Sequence, residues 1–214
     1  MPNHTSNLLT ISGDENIVKE IRQWIEGEDE QRGFDFNKVI LMPSELRGSG
    51  SPTRIMTEEE IFVEQKQREQ DLEANPELKG IWGTEVGITQ KEYDRRMEQY
   101  GAANWYDWSL QHWGTKWNAY DVKIDEFNIN EIRFSTAWTP PCPVIKKMSE
   151  LYPEVNFRLE YADEGGSFLG YSVFEKGELI DELDVDWDSE KGTELLKKLD
   201  RYFEDEEDEE DFED

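Results

Sequence analysis

The chain is predicted to be an α+β protein built on a split βαβ core, and three observations point there. Once a charged middle region is set aside, the apolar patterns run strand, helix, strand, strand, helix, strand. Apolar residues make up only 36% of the 214 residues while aromatics reach 12%, which suits a compact aromatic core in a very polar shell. Residues 104–121 hold four of the eight tryptophans, Trp105, Trp108, Trp113 and Trp117, enough indole area to nucleate such a core.

The first strand is Asn7 to Ser12. Ser12-Gly-Asp-Glu15 has the form of a capping box, and Ile17, Val18, Ile21, Trp24 and Ile25 follow at helical spacing. Phe34 to Leu41 alternates in part and runs into a break at Met42-Pro43. Gly48-Ser-Gly-Ser-Pro52 reads as a loop. Residues 53–103 change character. Boxes at Thr57-Glu60 and Thr89-Glu92 open two charged helices with thin apolar stripes, and Pro76 ends the first.

Trp105, Trp108 and Trp113 fall near helical spacing, Gly114 breaks the helix, and Trp117 starts a strand. The cluster is either a core nucleus or the floor of a binding site; the usual burial of aromatics favours the core, with Trp113, Trp117 and Trp138 packed together. Trp117 to Phe127 and Ile129 to Trp138 make a hairpin. Pro143 suits a helix's first turn, and Val144, Ile145, Met148, Leu151 and Tyr152 form that helix's buried face. Val155, Phe157, Leu159 and Tyr161 alternate with polar neighbours as a half-buried strand. A hairpin follows about Lys176-Gly177. Leu195, Leu196, Leu199, Tyr202 and Phe203 mark a last helix.

The core order is the ferredoxin-like one, with helices expected on one face of the sheet. The reading is a single ferredoxin-like domain over 1–203 with a helical insertion at about 53–103 and an added C-terminal hairpin and helix. Residues 204–214, with ten acids and Phe212, form an acidic tail expected to be disordered.

The motif Asn104-Trp-Tyr-Asp-Trp and, after it, His112-Trp-Gly-Thr-Lys-Trp-Asn-Ala-Tyr-Asp121 resembles the hallmark of the YubB-type ferredoxin-like proteins of phages and conjugative plasmids. Phe134-Ser-Thr-Ala-Trp-Thr-Pro-Pro-Cys-Pro-Val144 resembles that family's second motif, and the segments Met1 to Gly13 and Phe34 to Pro43 resemble its N-terminal signatures. The resemblance covers nearly all the chain except the acidic tail. Thr5 and Ser6 depart from it, standing where the family often has cysteine and an aromatic. It implies a ferredoxin-like fold without an iron–sulfur cluster and an accessory gene of a mobile element. It implies no established activity.

The sequence offers little to catalysis. Asp184-Val-Asp-Trp-Asp188 imitates a calcium loop, but its sixth position is Ser189 and its twelfth Leu195. Cys142 is the only cysteine, too few for an iron–sulfur cluster, and two separated histidines support no zinc site. Nothing orients Cys142 and His112 as a pair, and Gly48-Ser-Gly50 is no nucleophile elbow. No enzyme, metal or cofactor is expected. Trp113, Lys116, Trp117, Asn118 and Trp138 are the candidate ligand residues, a lysine and an amide beside indoles suiting an anionic planar ligand such as a nucleotide. The plainer reading has Lys116 packing its stem over a tryptophan.

Charge carries the functional expectation. With 51 acids against 23 bases the formal charge is −28, a field that repels nucleic acid and anionic membranes and attracts basic surfaces. Under strict alternation Glu178, Glu182, Asp184 and Asp186 share one strand face at about 6.6 Å steps, a spacing of the order of that between phosphates. The leading expectation is a non-enzymatic accessory protein of a phage or plasmid that binds a basic host protein. In its most concrete form it is a DNA mimic that blocks a nucleic-acid-binding defence or regulatory factor. The alternative is a small-ligand module using the tryptophans. No signal peptide or membrane span is seen and the one cysteine fits a reducing compartment, so the bacterial host cytoplasm is the expected location.

Overall fold

The computed structural model describes residues 3–27, 33–76, 85–125 and 128–207, with side chains to residue 199. The chain forms two compact units, one of residues 1–41 with 112–214, the other of residues 42–111. The acidic tail falls outside the described residues from 208 onward.

The first unit is a ferredoxin-like α/β sandwich extended at one edge. Its strands are β1 (His4–Ser12), β2 (Tyr120–Ile124), β3 (Glu131–Ala137), β4 (Asn156–Asp163), β5 (Leu169–Glu175) and β6 (Glu178–Asp184). They form one antiparallel sheet in the order β2-β3-β1-β4-β5-β6. The first four strands give the split βαβ order, and β5–β6 adds the predicted hairpin. Lys176 and Gly177, at φ 51° and 78°, make its two-residue loop, a turn whose twist matches that of the strands.

Helix α1 (Glu15–Ile25) buries Val18, Ile21 and Ile25. Its cap is Asp14, whose side chain accepts from Asn16 N, rather than the predicted Ser12. The partial alternation after Phe34 resolves as a short helix, α2 (Phe36–Val39). Asp35 caps it, and Phe36 packs edge-on against Phe34 and Phe134. After β3 comes the helix Cys142–Leu151, with Val144, Ile145 and Met148 buried; Leu151, predicted to be buried, lies outside. Its Cys142 meets Ser172 on the sheet, and the following Tyr152 stacks on Trp24 of α1. These helices share the sheet face of Leu9, Ile11, Phe134, Phe157 and Leu159, all buried.

The opposite face is covered as well, which corrects the expectation of helices on one side only. The last helix, Glu190–Glu207, sets Leu195 and Leu199 against Leu8, Ala162, Leu169 and Val185. It runs to Glu207, past the predicted start of the tail at 204; the side chains of Tyr202 and Phe203 lie outside those described.

The second unit carries helices at Glu58–Ala74, Gln90–Tyr100 and Trp105–His112, which complete the set and are α3, α4 and α5; the helices after β3 and β6 are then α6 and α7. Thr57 and Glu60 form the predicted reciprocal capping box, while Glu92 leaves its own box half made and turns to Arg95 and Arg96. Helix α3 buries no side chain. Polar groups hold this unit together. Arg96 is 7% exposed and pairs with Glu85 at 2.7 Å and Glu92 at 2.9 Å while donating to Ala103 O. Asn104 bonds Thr53 and Asp107, and Ser49 accepts from Trp105 N.

Candidate functional site

The five tryptophan-region residues divide into an inner and an outer group. Trp113 is buried, with its ring against Phe36 and its indole N–H donating to Ile40 O at 2.9 Å. Asn118 is consumed by the backbone. Its Oδ1 accepts from Phe36 N and Ala119 N, and its Nδ2 donates to Asp35, so it braces the start of α2 instead of facing a ligand. Trp117 is 38% exposed, which corrects the expectation that it packs in the core. Trp138 is half-buried at φ 75°, and the Lys116 ammonium sits between the two outer indoles, 4.6 Å from the Trp117 ring and 4.9 Å from that of Trp138. The turn between the groups needs Gly114, at φ 79°, because a Cβ there would lie 2.7 Å from Pro143. The Trp113 N–H and the Asn118 amide are therefore used internally, and the Lys116 ammonium is a cation over aromatic rings.

The acidic row is broken by a bulge. Val173 pairs with Asp181 but Phe174 pairs with Leu179, so Ile180 is an extra residue in β6. Side chains on either side of it change face. Glu178 shares a face with Asp181, whose carboxylate accepts from Tyr171 OH; Glu182 and Asp184 lie on the other face, where Ser172 donates to Glu182. Asp186 lies beyond the strand and accepts from Asp188 N. Strict alternation fails because a one-residue slip moves every later side chain across the sheet. The result is a ridge with carboxylates on both flanks, at the open edge of the sheet.

Cys142, at the start of α6, has Ser172 for a partner at 4.0 Å, and Ser172 links onward to Tyr161 and Glu182. Burial, with the nearby Glu182 charge, pushes its thiol up to about 11, against the Ser172 hydrogen bond. A thiol held protonated is a poor nucleophile. Alkylation by iodoacetamide at pH 8 is expected to run far slower in the folded protein than in urea; equal rates would place the thiol outside this pocket. Ser49 of the glycine-flanked loop is buried, donating to Leu46 O. Among the described residues no three His, Cys, Asp or Glu side chains stand together as a metal site. No described helix is long and apolar enough to cross a membrane.

One site was not singled out from the sequence. Across three strands Ser135, Ser6 and Ala162 pair side by side, and these small residues hollow the sheet face carrying α7. The hollow is a cavity of about 460 Å³, walled by Leu196 and Leu199 of α7 and by Trp187. Its rim holds His4, Asp121 and Glu164. A second bulge, in β2 between Tyr120 and Lys123, sets Asp121 at φ 48° on that rim. Tyr120 OH donates to Thr136 O at 3.1 Å, so in the 2.5 Å contact with His4 Nδ1 that nitrogen is the donor. Burial and the charges of Asp121 and Glu164 raise the Tyr120 phenol to about 12, keeping it protonated in that role. The visible signal was the row of small residues at facing strand positions, which needs the strand register to be read. The second unit has a larger hollow of about 560 Å³, but Arg54 and Glu64 there neutralise each other through two 2.6 Å bonds.

Residues 113–214 match the family described as "Ferredoxin-like domain in Api92-like protein". An uncharacterized protein, YubB of Escherichia coli (strain K12), is 30% identical over 95 residues, which span 42% of this chain and 65% of that relative. The chain thus matches just under two thirds of that relative's length. A solved structure of a protein api92 from Yersinia pseudotuberculosis overlies 87% of this chain and 99% of its own, with 12% identity and a TM-score of 0.48.

Proposed function

We propose that this chain is a non-enzymatic binding protein of a mobile element whose acidic surface docks a basic host protein. The observation that carries the reading is the β6 ridge. It is an exposed edge strand in a chain of charge −28, with Glu178 and Asp181 on one flank and Glu182 and Asp184 on the other. Carboxylates on two flanks suit a groove with cationic walls on both sides, as a groove that holds a phosphate backbone has. The proposed partner is therefore a nucleic-acid-binding protein, and the mode is occupation of its nucleic-acid site. The small-ligand alternative loses Asn118 and Trp113, whose polar groups are committed elsewhere.

The test starts from a partner captured from host lysate and continues as a competition with duplex DNA. Binding is expected to exclude DNA and to weaken as salt rises. Changing Glu178, Asp181, Glu182 and Asp184 together to amides is expected to weaken the complex by about tenfold or more, with the melting temperature kept. A partner that holds DNA and this protein at once, with no mutual loss of affinity, sinks the mimic; an unchanged affinity in the four-residue variant removes the ridge.

A further inference from the structure

We propose that the hollow between α7 and the β3-β1-β4 row is a binding site for a primary ammonium group on an apolar stem. The inference concerns a different surface from the β6 ridge and does not depend on it. The cavity's 460 Å³ falls within the range of small-ligand sites. Its lining is two-sided. Ala162, Leu196, Leu199 and Trp187 supply an apolar wall, while the rim supplies acceptors and negative charge.

The rim is rich in acceptors, and the buried Trp187 Nε1 is a donor with no partner among the described residues. Asp121 and Glu164 are carboxylates with no ion-pair partner among the described residues. The Ser6 and Ser135 hydroxyls can each accept. An ammonium has three donors and no acceptor, so it complements this rim where a carboxylate or phosphate would be repelled. A nearby pair shows what a filled site of this kind looks like. Glu160, on the same face of β4, is 2% exposed and already holds the Lys198 ammonium at 3.2 Å and the Arg158 guanidinium at 3.1 Å. One row along, the carboxylates at Asp121 and Glu164 have no such cation.

The backbone favours the same reading. Asp121 adopts the left-handed region, which is costly for most residues with a side chain but best tolerated by Asp and Asn. The bulge that puts it there interrupts the β2 ladder beside the hollow.

The ammonium can belong to a free amine or to the lysine side chain of a polypeptide. Both fit the same groups, and the experiment separates them. The full chain is labelled with 15N and titrated with phenethylamine, with its neutral analogue 2-phenylethanol, and with Nα-acetyl-lysine amide. The expected result is saturable shifts at the amides of Ser6, Ser135 and Asp121 and at the Trp187 indole N–H with one or both amines, and at least about tenfold weaker binding of the alcohol. Stronger binding of phenethylamine assigns a free amine; stronger binding of the lysine derivative assigns a side chain. The Asp121→Asn, Glu164→Gln double variant keeps the left-handed residue tolerable and is expected to lose about tenfold in amine affinity while its spectrum stays dispersed. If the double variant does not fold, Glu164→Gln alone is expected to lose affinity in the same direction. The proposal is overturned if the alcohol binds as well as the amines, if the folded variant binds amines unchanged, or if none of the compounds moves these signals.

Discussion

Trp113→Ala is expected to destabilise the first unit by about 3–5 kcal/mol, the cost of large aromatic truncations in cores. The ring is 4% exposed and meets Phe36 at 5.9 Å; Phe36 in turn meets Phe34 at 5.0 Å and Phe134 at 6.2 Å. Removing it opens a cavity at the centre of an aromatic cluster. It also leaves Ile40 O without its indole donor, which adds a desolvation cost. Trp117→Ala supplies the contrast. That ring is 38% exposed and loses only surface contacts and its share of the Lys116 stack, together about 1 kcal/mol. Urea unfolding of both variants, followed through β-sheet amides, measures the difference. Equal losses would mean that the two rings share one environment, contrary to this arrangement.

Arg96→Met is expected to cost the second unit about 3 kcal/mol, because it takes the ion-pair partner from the largely buried Glu85 carboxylate and the donor from Ala103 O, while Glu92 keeps Arg95. The guanidinium satisfies Glu85, Glu92 and Ala103 O at once. Arg95→Met at the next position is expected to cost no more than about 1 kcal/mol, since Arg95 is 41% exposed in its pairs with Glu45 and Glu92. Amide exchange within 42–111 reads both. Glu92 adds a pH signature. Hydrogen bonds from Arg95, then from Arg96, hold its carboxyl at about 2, below the ordinary 4.5. A depressed carboxyl contributes stability that is complete above the ordinary value and is lost as pH falls from there through about 2. Comparable exchange in the two arginine variants would remove Arg96 from its central role.

The elements that could be read from sequence were those whose pattern is set by one buried face. Val155, Phe157, Leu159 and Tyr161 alternate because that side of β4 packs on α6, and all four are buried; the other side, expected to face solvent, is covered by α7, and Glu160 and Ala162 are buried as well. Val144, Ile145 and Met148 kept helical spacing for the same reason. Reading failed where one residue changes the phase. Ile180 bulges out of β6 and carries Glu178 to the other flank. Neither the apolar pattern nor the charges announce it, since β6 is exposed on both sides. The tryptophan stretch misled in another way. Its indoles look alike in sequence, but α5 ends at His112, the units divide there, and Trp113 turns inward while Trp117 stays at the surface. The ammonium site was hidden because its floor is three small residues from three strands, adjacent only through register.

The pairing of β1 has a consequence for how the chain emerges from the ribosome. Residues 4–10 of β1 pair with 131–137, and residues 5–12 pair with 156–163. Nothing nearer in sequence can close that central strand on either side. Residues 42–111, a continuous segment, are complete long before either partner strand has been made. During synthesis β1 therefore waits with both edges open until those strands are made. An open strand bearing Leu8, Leu9 and Ile11 is a hazard for misassociation in that interval. The order of synthesis thus makes the sheet late to close, with the slow, long-range closure that such contact order brings.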